Sequence, residues 1–410
     1  MGVFTESSTF DAVAILVTII VGIIAYCKWK LSYWDKMGLP TLTPTLPFGN
    51  TKDLLLGRKT FGEQFRDLYR TLKQKGYRKH AGVYLGIKPF YVTIDPELIK
   101  HIMQKDFQHF VNHGFYINEE NDPLTGHLFN LEDAKWRTMR VKLTPTFTSG
   151  KIKMMFQTLA DCSVGLKDIM DESASNHAPV DIKEILGRFT TDIIGSCAFG
   201  LEFNSFKEDD STFRQYGRKF FKGSKSRLLH RFFVASFPNV AKKLGVPVVP
   251  RDISSFFINV VKETVDYREK NNHTRKDFMQ LLIDLKDNKV SSESGYKHDG
   301  TSLTMDEIAA QSFVFFIAGF ETSSTTMTFA LYELATHQDI QNKVRDEINV
   351  VLGRFNGEVS YGAIQEMKYM DQVINDTLRK YPAAPRLVRK CVKDYKIPDQ
   401  DVIIEKGTMV

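Results

Sequence analysis

Apolar and polar residues fall along this chain in patterns of different period. From Ile308 to Tyr332 the only charged residue is Glu321, and Phe313-Val-Phe-Phe-Ile-Ala318 leaves no polar stripe. Such a run predicts a helix buried nearly all round. Thr304-Met-Asp-Glu307 opens it with the spacing of a capping box. At 1.5 Å per residue, Thr304 to His337 spans roughly 50 Å, enough to cross a domain. Phe61 to Lys75 reads as an amphipathic helix. In Lys368 to Tyr381, residues Met370, Val373, Ile374, Thr377 and Leu378 keep i, i+3, i+4 spacing, and Pro382 stops the helix. Leu131 to Leu143 (closed by Pro145), Gly187 to Phe199 and Asp339 to Val351 read as further helices. Val83 to Gly86 and Phe90 to Ile94 flank Ile87-Lys-Pro and predict a β-hairpin. Asp95-Pro96 then opens a helix as cap and first residue. Pro385 to Arg389, Val402 to Ile404 and Gly407 to Val410 read as short strands. Asn112 to Leu128 reads as a loop, and Asn271 to Gly300 as a polar, mobile one. The predicted fold is mainly α with small β-sheets.

The N-terminus is apolar for another reason. Ala12 to Cys27 is sixteen residues without a charge, followed by Lys28, Lys30 and Lys36, with Trp29, Tyr33 and Trp34 at interface depth. No basic segment precedes it and no small-residue cleavage site follows, so residues 1–30 read as a membrane anchor rather than a cleaved signal. The positive-inside rule leaves the bulk of the chain cytoplasmic. Residues 31–50, with Pro40, Pro44, Pro47 and Gly49, read as an extended hinge. Residues 51–410 form the globule. The chain ends at Val410 inside a strand pattern, with no polar tail, and the expectation is a chain cut short.

Composition narrows the function classes. The 410 residues include 31 Phe and carry a net charge of +6, so a large core is available and the mean charge is modest. Cys27, Cys162, Cys197 and Cys391 stand far apart with no C-x-x-C spacing, which argues against a disulfide framework or a zinc site. From Phe213 to Arg251 there are ten Lys or Arg and no acid, interleaved with Phe220, Phe221, Phe232, Phe233 and Phe237. That pattern suits nucleic acid or an anionic membrane surface. The N-terminal anchor tips the reading to membrane and away from nucleic acid.

Three constellations carry possible chemistry. Ala318-Gly319-Phe320-Glu321-Thr322 puts a carboxylate and a hydroxyl beside a glycine in the middle of the apolar helix. Gly319 permits close approach of another group, and Thr322 can hydrogen-bond one turn back and loosen the ladder. A buried Glu needs a partner, water or a task, so the helix is either a kinked core element with a satisfied Glu321 or a working site. Trp136 and Arg140 share a helix face. They are either a surface cation–π pair or a joint clamp on an anion, because indole and guanidinium both donate and neither accepts. Asp376 and Arg379 are three apart and can pair.

Taken in order, these segments resemble a microsomal cytochrome P-450, a haem-thiolate monooxygenase. The likeness runs through the anchor, the proline hinge, Trp136-x-x-x-Arg140, Ala318-Gly319-x-Glu321-Thr322 and Asp376-x-x-Arg379-x-Tyr381-Pro382. Asn130 to Lys151 is most similar to the insect enzymes that metabolise foreign compounds and plant toxins. The resemblance implies the cytochrome P-450 fold and haem b as cofactor. Trp136 and Arg140 would bind one haem propionate and Arg389 a second. Thr322 and Glu321 would manage protons, in a turn widened beside Ala318 and Gly319. It also implies NADPH-cytochrome P-450 reductase as electron donor, lipophilic small molecules as substrates, and the cytoplasmic face of the endoplasmic reticulum. Residues between Ser312 and Thr322, Phe115, the Phe213–Phe237 region and Ala383 to Leu387 would line the substrate pocket. Two departures stand out. The family's acid in the Asp376-x-x-Arg379 motif is Glu, one methylene longer. Its haem-ligand cysteine lies in a Phe-x-x-Gly-containing loop, expected beyond Val410; none of the four cysteines here has that context, so no metal ligand is assigned in this chain. The rival expectation is a non-catalytic membrane-associated binding or scaffold protein derived from the same family.

Overall fold

The computed structural model describes residues 8–201, 205–206, 212–222, 225–287, 302–398 and 400–410. The part of the expected mobile loop from 288 to 300 lies outside them. The chain divides into two compact units: Met1–Tyr116, Gly223–Leu244 and Pro385–Val410 form one, and Ile117–Lys222 with Gly245–Ala384 the other.

The first unit begins with α1 (Ser8–Lys30), a helix of 23 residues. At 1.5 Å per residue it is about 35 Å long, which matches a bilayer's apolar thickness. It is long and apolar enough to cross a membrane by length and composition. Val13, Leu16, Val17 and Ile20 along it are exposed, with no protein over them. The short helices α2 (Tyr33–Lys36) and α3 (Lys52–Leu55) follow, then α4 (Phe61–Gln74). Thr60 and Glu63 cap α4 reciprocally: Glu63 N–H donates to Thr60 Oγ1 at 3.3 Å, and Thr60 N–H donates to Glu63 Oε2 at 2.8 Å. Strands β1 (His80–Leu85) and β2 (Lys88–Thr93) pair antiparallel from His80↔Thr93 to Leu85↔Lys88. Gly86, at φ +61°, makes the turn. Helix α5 (Pro96–Lys100) starts where Leu98 N–H donates to Asp95 Oδ2 at 2.9 Å.

Trp34 corrects the sequence reading. It is 2 % exposed, at the centre of this unit's core and not at a membrane interface, and its Nε1 donates to Val83 O at 3.1 Å. The ring lies so close over the hairpin that a Cβ on Gly82 would sit 2.3 Å from it. A tryptophan beyond an anchor serves interface and core equally well by pattern, and here the hairpin claims it.

Further along the chain, α6 (Asp133–Leu143), α7 (Ser149–Ser175), α8 (Ile182–Phe199) and α9 (Thr212–Phe221) belong to the second unit. Helices α10 (Lys225–Ser236) and α11 (Pro238–Lys243) belong to the first. The basic, Phe-rich stretch is therefore not one surface element. Phe213 is buried, with its ring centre 5.2 Å from Phe316 and 5.0 Å from Phe199, while Phe237 and Val240 stay exposed. Helical spacing sorts rings inward or outward whatever the charge of their sequence neighbours.

The second unit continues with α12 (Arg251–Asn271), α13 (Phe278–Lys286), α14 (Met305–Thr336), α15 (Gln338–Arg354), α16 (Tyr361–Glu366) and α17 (Lys368–Lys380). Helix α13 falls inside the stretch expected to be a loop. Phe278, Met279, Leu282 and Ile283 form an apolar stripe at i, i+1, i+4, i+5 and are buried; the polar flanks masked it in the sequence. The core of this unit gathers residues of α8, α9, α12, α13 and α14 around Phe199, Phe257, Phe313 and Phe316.

The C-terminal segment returns to the first unit. Strands β3 (Tyr395–Lys396) and β4 (Ile403–Ile404) pair antiparallel. Pro385 to Arg389 and Gly407 to Val410 are not named strands. Contact is made through isolated bridges, Phe90↔Met409, Lys390↔Met409 and Asn112↔Lys390. Pairing begins at Arg389, whose N–H and C=O both bond Val410. The residues before it have no strand partner among the described residues, and a strand is defined by its partner.

Candidate functional site

The site is organised by α14. Its start is the expected capping box: Glu307 N–H donates to Thr304 Oγ1 at 3.2 Å and Thr304 N–H donates to Glu307 Oε2 at 2.8 Å. Its first half is buried, with Ile308, Ala309, Ala310, Gln311, Ser312, Phe313 and Phe316 all inside. Gln311 is satisfied there. Its Oε1 accepts from Leu128 N–H at 2.9 Å and its Nε2 donates to Gly126 O at 3.3 Å.

From Ala318 onward the helix is no longer covered all round, which corrects the expectation from its composition. Ala318, Thr322 and Ser323 are exposed. Ala318 and Thr322 are i, i+4 neighbours and share a face. The Thr322 hydroxyl donates to Ala318 O. The element remains α-helical from Met305 to Thr336.

Gly319 and Glu321 turn the other way, toward α8. A Cβ on Gly319 would lie 2.2 Å from Ile194 Cδ1, so only glycine allows the two helices to approach this closely. Thr190 Oγ1 donates to Phe320 O at 3.0 Å across the same contact. Glu321 pairs with Lys183 Nζ of α8 at 2.9 Å, and Lys183 also donates to Ser324 Oγ at 2.9 Å and Thr325 Oγ1 at 2.8 Å. Glu321 therefore has a partner that sequence reasoning missed. Lys183 carries no local signal, because it becomes relevant only when α8 lies along α14. Consecutive helix positions point about 100° apart, so Glu321 and the Thr322 hydroxyl address different surroundings.

Trp136 is half-buried on α6 and packs against the aromatic core; Arg140, one turn on, is exposed. Asp376 and Arg379 of α17 do pair: Arg379 Nε donates to Asp376 Oδ1 at 2.7 Å, with both side chains exposed. The shorter acid still closes the pair, and the hydrogen bond from Arg379 holds the Asp376 carboxyl below its usual range. Beside it, Tyr381 stacks on Phe329 with ring centres 4.2 Å apart, and Lys380 Nζ donates to Glu333 Oε1 at 2.7 Å.

Arg389 belongs to the first unit. Its Nη1 donates to the neighbouring Val388 O at 2.8 Å, while its Nε is buried without a partner. Burial lowers the pKa of the guanidinium. A buried, orphaned donor on a partly buried cation has the chemistry of an anion site.

The cysteines offer the opposite chemistry. Burial pushes the Cys162 thiol up to about 11, Cys197 to about 12 and Cys391 to about 11. Cys391 Sγ donates to Lys393 O at 2.8 Å. Burial, the largest cause in each case, favours the thiol over the thiolate. Among the described residues no cluster of three or more His, Cys, Asp or Glu is placed to hold a metal ion.

Comparison with known proteins accounts for this geometry. Residues 40–410 match the family model for cytochrome P450. Cytochrome P450 6A1 of Musca domestica is 45% identical over 389 residues, covering 94% of this chain and 75% of that protein. Probable cytochrome P450 6a14 of Drosophila melanogaster is 43% identical over 404 residues, covering 96% of this chain and 78% of that protein. Cytochrome P450 6a9 of the same fly is 42% identical over 403 residues, covering 97% and 79%. The helical fold, the open face at Ala318 and Thr322 and these matches lead to one conclusion: the chain belongs to the cytochrome P450 family, whose members bind haem and act as monooxygenases.

Proposed function

We propose that this chain is the body of a membrane-anchored, haem-dependent monooxygenase that oxidises lipophilic small molecules: foreign compounds, plant toxins, insecticides or hormones. The observation that carries the reading is the open face of α14. A helix buried along its first half presents Ala318 and Thr322, two small side chains, to the outside. A flat planar group can lie against such a face. The chemistry of the donors suits haem taken residue by residue: by family likeness Trp136 and Arg140 would donate to one propionate, and Arg389, whose Nε has no partner, to a second.

Haem, when bound, supplies the dioxygen chemistry by which one oxygen atom enters the substrate. The protein's own part is positioning and proton control. The Thr322 hydroxyl, held by Ala318 O, is placed to pass a proton toward the open face. Glu321, paired with Lys183, serves as an acid reached through rearrangement of that ion pair. Family likeness supports electron supply from NADPH through NADPH-cytochrome P450 reductase. With α1, it also supports a place on the cytoplasmic face of the endoplasmic reticulum. The second reading is a non-catalytic membrane-associated binding protein of the same family.

The two readings separate in membranes co-expressing the chain and a reductase. Bound haem is measured as the pyridine haemochrome, and product from a lipophilic coumarin ether by fluorescence. The monooxygenase reading expects haem and NADPH-dependent product. It also expects Thr322→Ala to keep the haem and lose about a hundredfold in turnover, the scale of one proton-transfer group. Absence of haem, or full turnover by Thr322→Ala, would overturn it.

A further inference from the structure

The first unit holds a cluster of titratable side chains that the monooxygenase reading does not use. It is built on a π-helical turn, His101–Lys105, that continues α5. Such turns are rare and frequently mark functional positions. Here Asp106 N–H donates to His101 O at 2.8 Å, five residues back. In an α-helix, residues five apart point about 140° away from each other. The widened turn instead brings both Lys105 and Asp106 to the His101 ring. His101 Nδ1 lies 2.7 Å from Asp106 Oδ2, and Lys105 Nζ lies 3.3 Å from His101 Nε2. Asp106 Oδ2 also accepts from Tyr395 OH of β3 at 2.8 Å, which holds it from a second element. The hydrogen bond from His101 keeps the Asp106 carboxyl below its usual range. Lys105 is 47% exposed and open to solutes. Glu97 Oε2 stands 3.9 Å from Lys105 Nζ, farther than the imidazole.

An ionised carboxylate accepts and cannot donate. It therefore fixes the proton of a neutral His101 on Nδ1 and leaves the Nε2 lone pair facing Lys105. Amine, imidazole and carboxylate thus stand in the order nucleophile, base and orienting group. An amine attacks only after losing its extra proton, and Nε2 is placed to take that proton. We propose that Lys105 is a self-acylation site that accepts an acyl group from an acyl thioester, with His101 as base and Asp106 as its positioning residue. The Lys105 ammonium passes a proton to His101 Nε2, and Asp106 stabilises the imidazolium so formed. The Nζ lone pair then attacks the acyl carbon. The C–N bond forms and the C–S bond breaks. The thiolate leaves with the electron pair of that bond and takes a second proton from the nitrogen. His101 releases its own proton to water. The products are an amide, a thiol and one proton, and nothing is oxidised or reduced. A thioester suits an open site, because a thiolate is a weak enough base to leave unaided. The proposal does not depend on the monooxygenase reading.

The test uses the full chain in neutral phosphatidylcholine nanodiscs, with S-acetyl-N-acetylcysteamine as acyl donor at neutral pH. Acetylation at each lysine is followed in time by mass spectrometry of the digested protein. Lys105 is expected to react about a hundredfold faster than Lys75 and Lys100, exposed lysines of the same unit, which is the low end for a positioned base. His101→Gln should bring Lys105 down to their rate. Asp106→Asn should lower it by about tenfold, the scale of a lost charge-assisted contact, and Asp106→Glu by less. The rates at Lys75 and Lys100 should not move in any of these variants. An ordinary rate at Lys105 in the unaltered protein would overturn the proposal, as would a fast rate that His101→Gln leaves unchanged. Should His101→Gln fail to fold, Lys75 and Lys100 would change with it, and Asp106→Asn together with the unaltered protein still decides.

Discussion

Arg268 is withdrawn from water and Arg386 only partly so, and the two units treat them in opposite ways. Arg268, in the second unit, is 3% exposed and meets Asp277 side-on, Nη1 to Oδ1 at 2.9 Å and Nη2 to Oδ2 at 2.5 Å. Asp277 also accepts from Gln280 N–H at 2.9 Å, so one carboxylate both caps α13 and neutralises the arginine. Arg386, in the first unit, has three aromatic rings and no acid. A buried cation with its own carboxylate is part of the scaffold. A partly buried cation set among rings keeps its N–H donors unspent. His127 is a third case, a buried group kept neutral. It is 7% exposed, its Nδ1 has no partner, and burial holds its pKa at about 4.

The largest effect should come from breaking the matched pair. Asp277→Ala strands Arg268, which costs roughly 3–5 kcal/mol for the buried charge and about 1 kcal/mol for the cap. Urea unfolding should show the midpoint fall accordingly, and Asp277→Asn, which keeps the cap, should fall less. Equal loss in both variants would mean that the ion pair, not the cap, dominates.

His127 gives the next effect, through pH. Its folded pKa lies below the usual value near 6.5, so the unfolded chain takes up a proton first as pH falls. Stability is therefore full above about pH 6.5 and declines until about pH 4, by roughly 3 kcal/mol in all. His127→Phe should flatten that part of the stability curve. An unchanged curve would remove His127 from the comparison.

Arg386→Met should have the smallest effect on stability, within about 1 kcal/mol either way, because an unpaired buried charge leaves together with its ring contacts. A loss near that of Asp277→Ala would show that the aromatic box alone makes Arg386 a scaffold residue.

Much of this was legible in the sequence. The capping boxes at Thr60 and Thr304, the Asp95-Pro96 start and the stop at Pro382 rest on interactions within one turn, and the structure reproduces their positions. Ala318 and Thr322 were recognisable as an interruption of an apolar pattern. What was not legible depended on neighbours remote in sequence. Glu321 needed Lys183, 138 positions earlier, and Trp34 needed Val83. Helix α13 was hidden because its stripe of five buried residues sits between polar flanks. The two strands expected around Arg389 and Met409 became bridges, since alternation cannot tell whether a partner strand is present.

The sequence by itself determined the helical class, the apolar N-terminal helix, the order of the motifs and the residue types that handle anions and protons. Those follow from periodicity, capping and side-chain chemistry, all local. Only the tertiary structure decided which of the buried cations received an acid. It turned Glu321 toward α8 and Thr322 toward the open face, and it set Arg386 among three aromatic rings. Burial and pairing are properties of packed surfaces, and a packed surface is made by residues that meet in space.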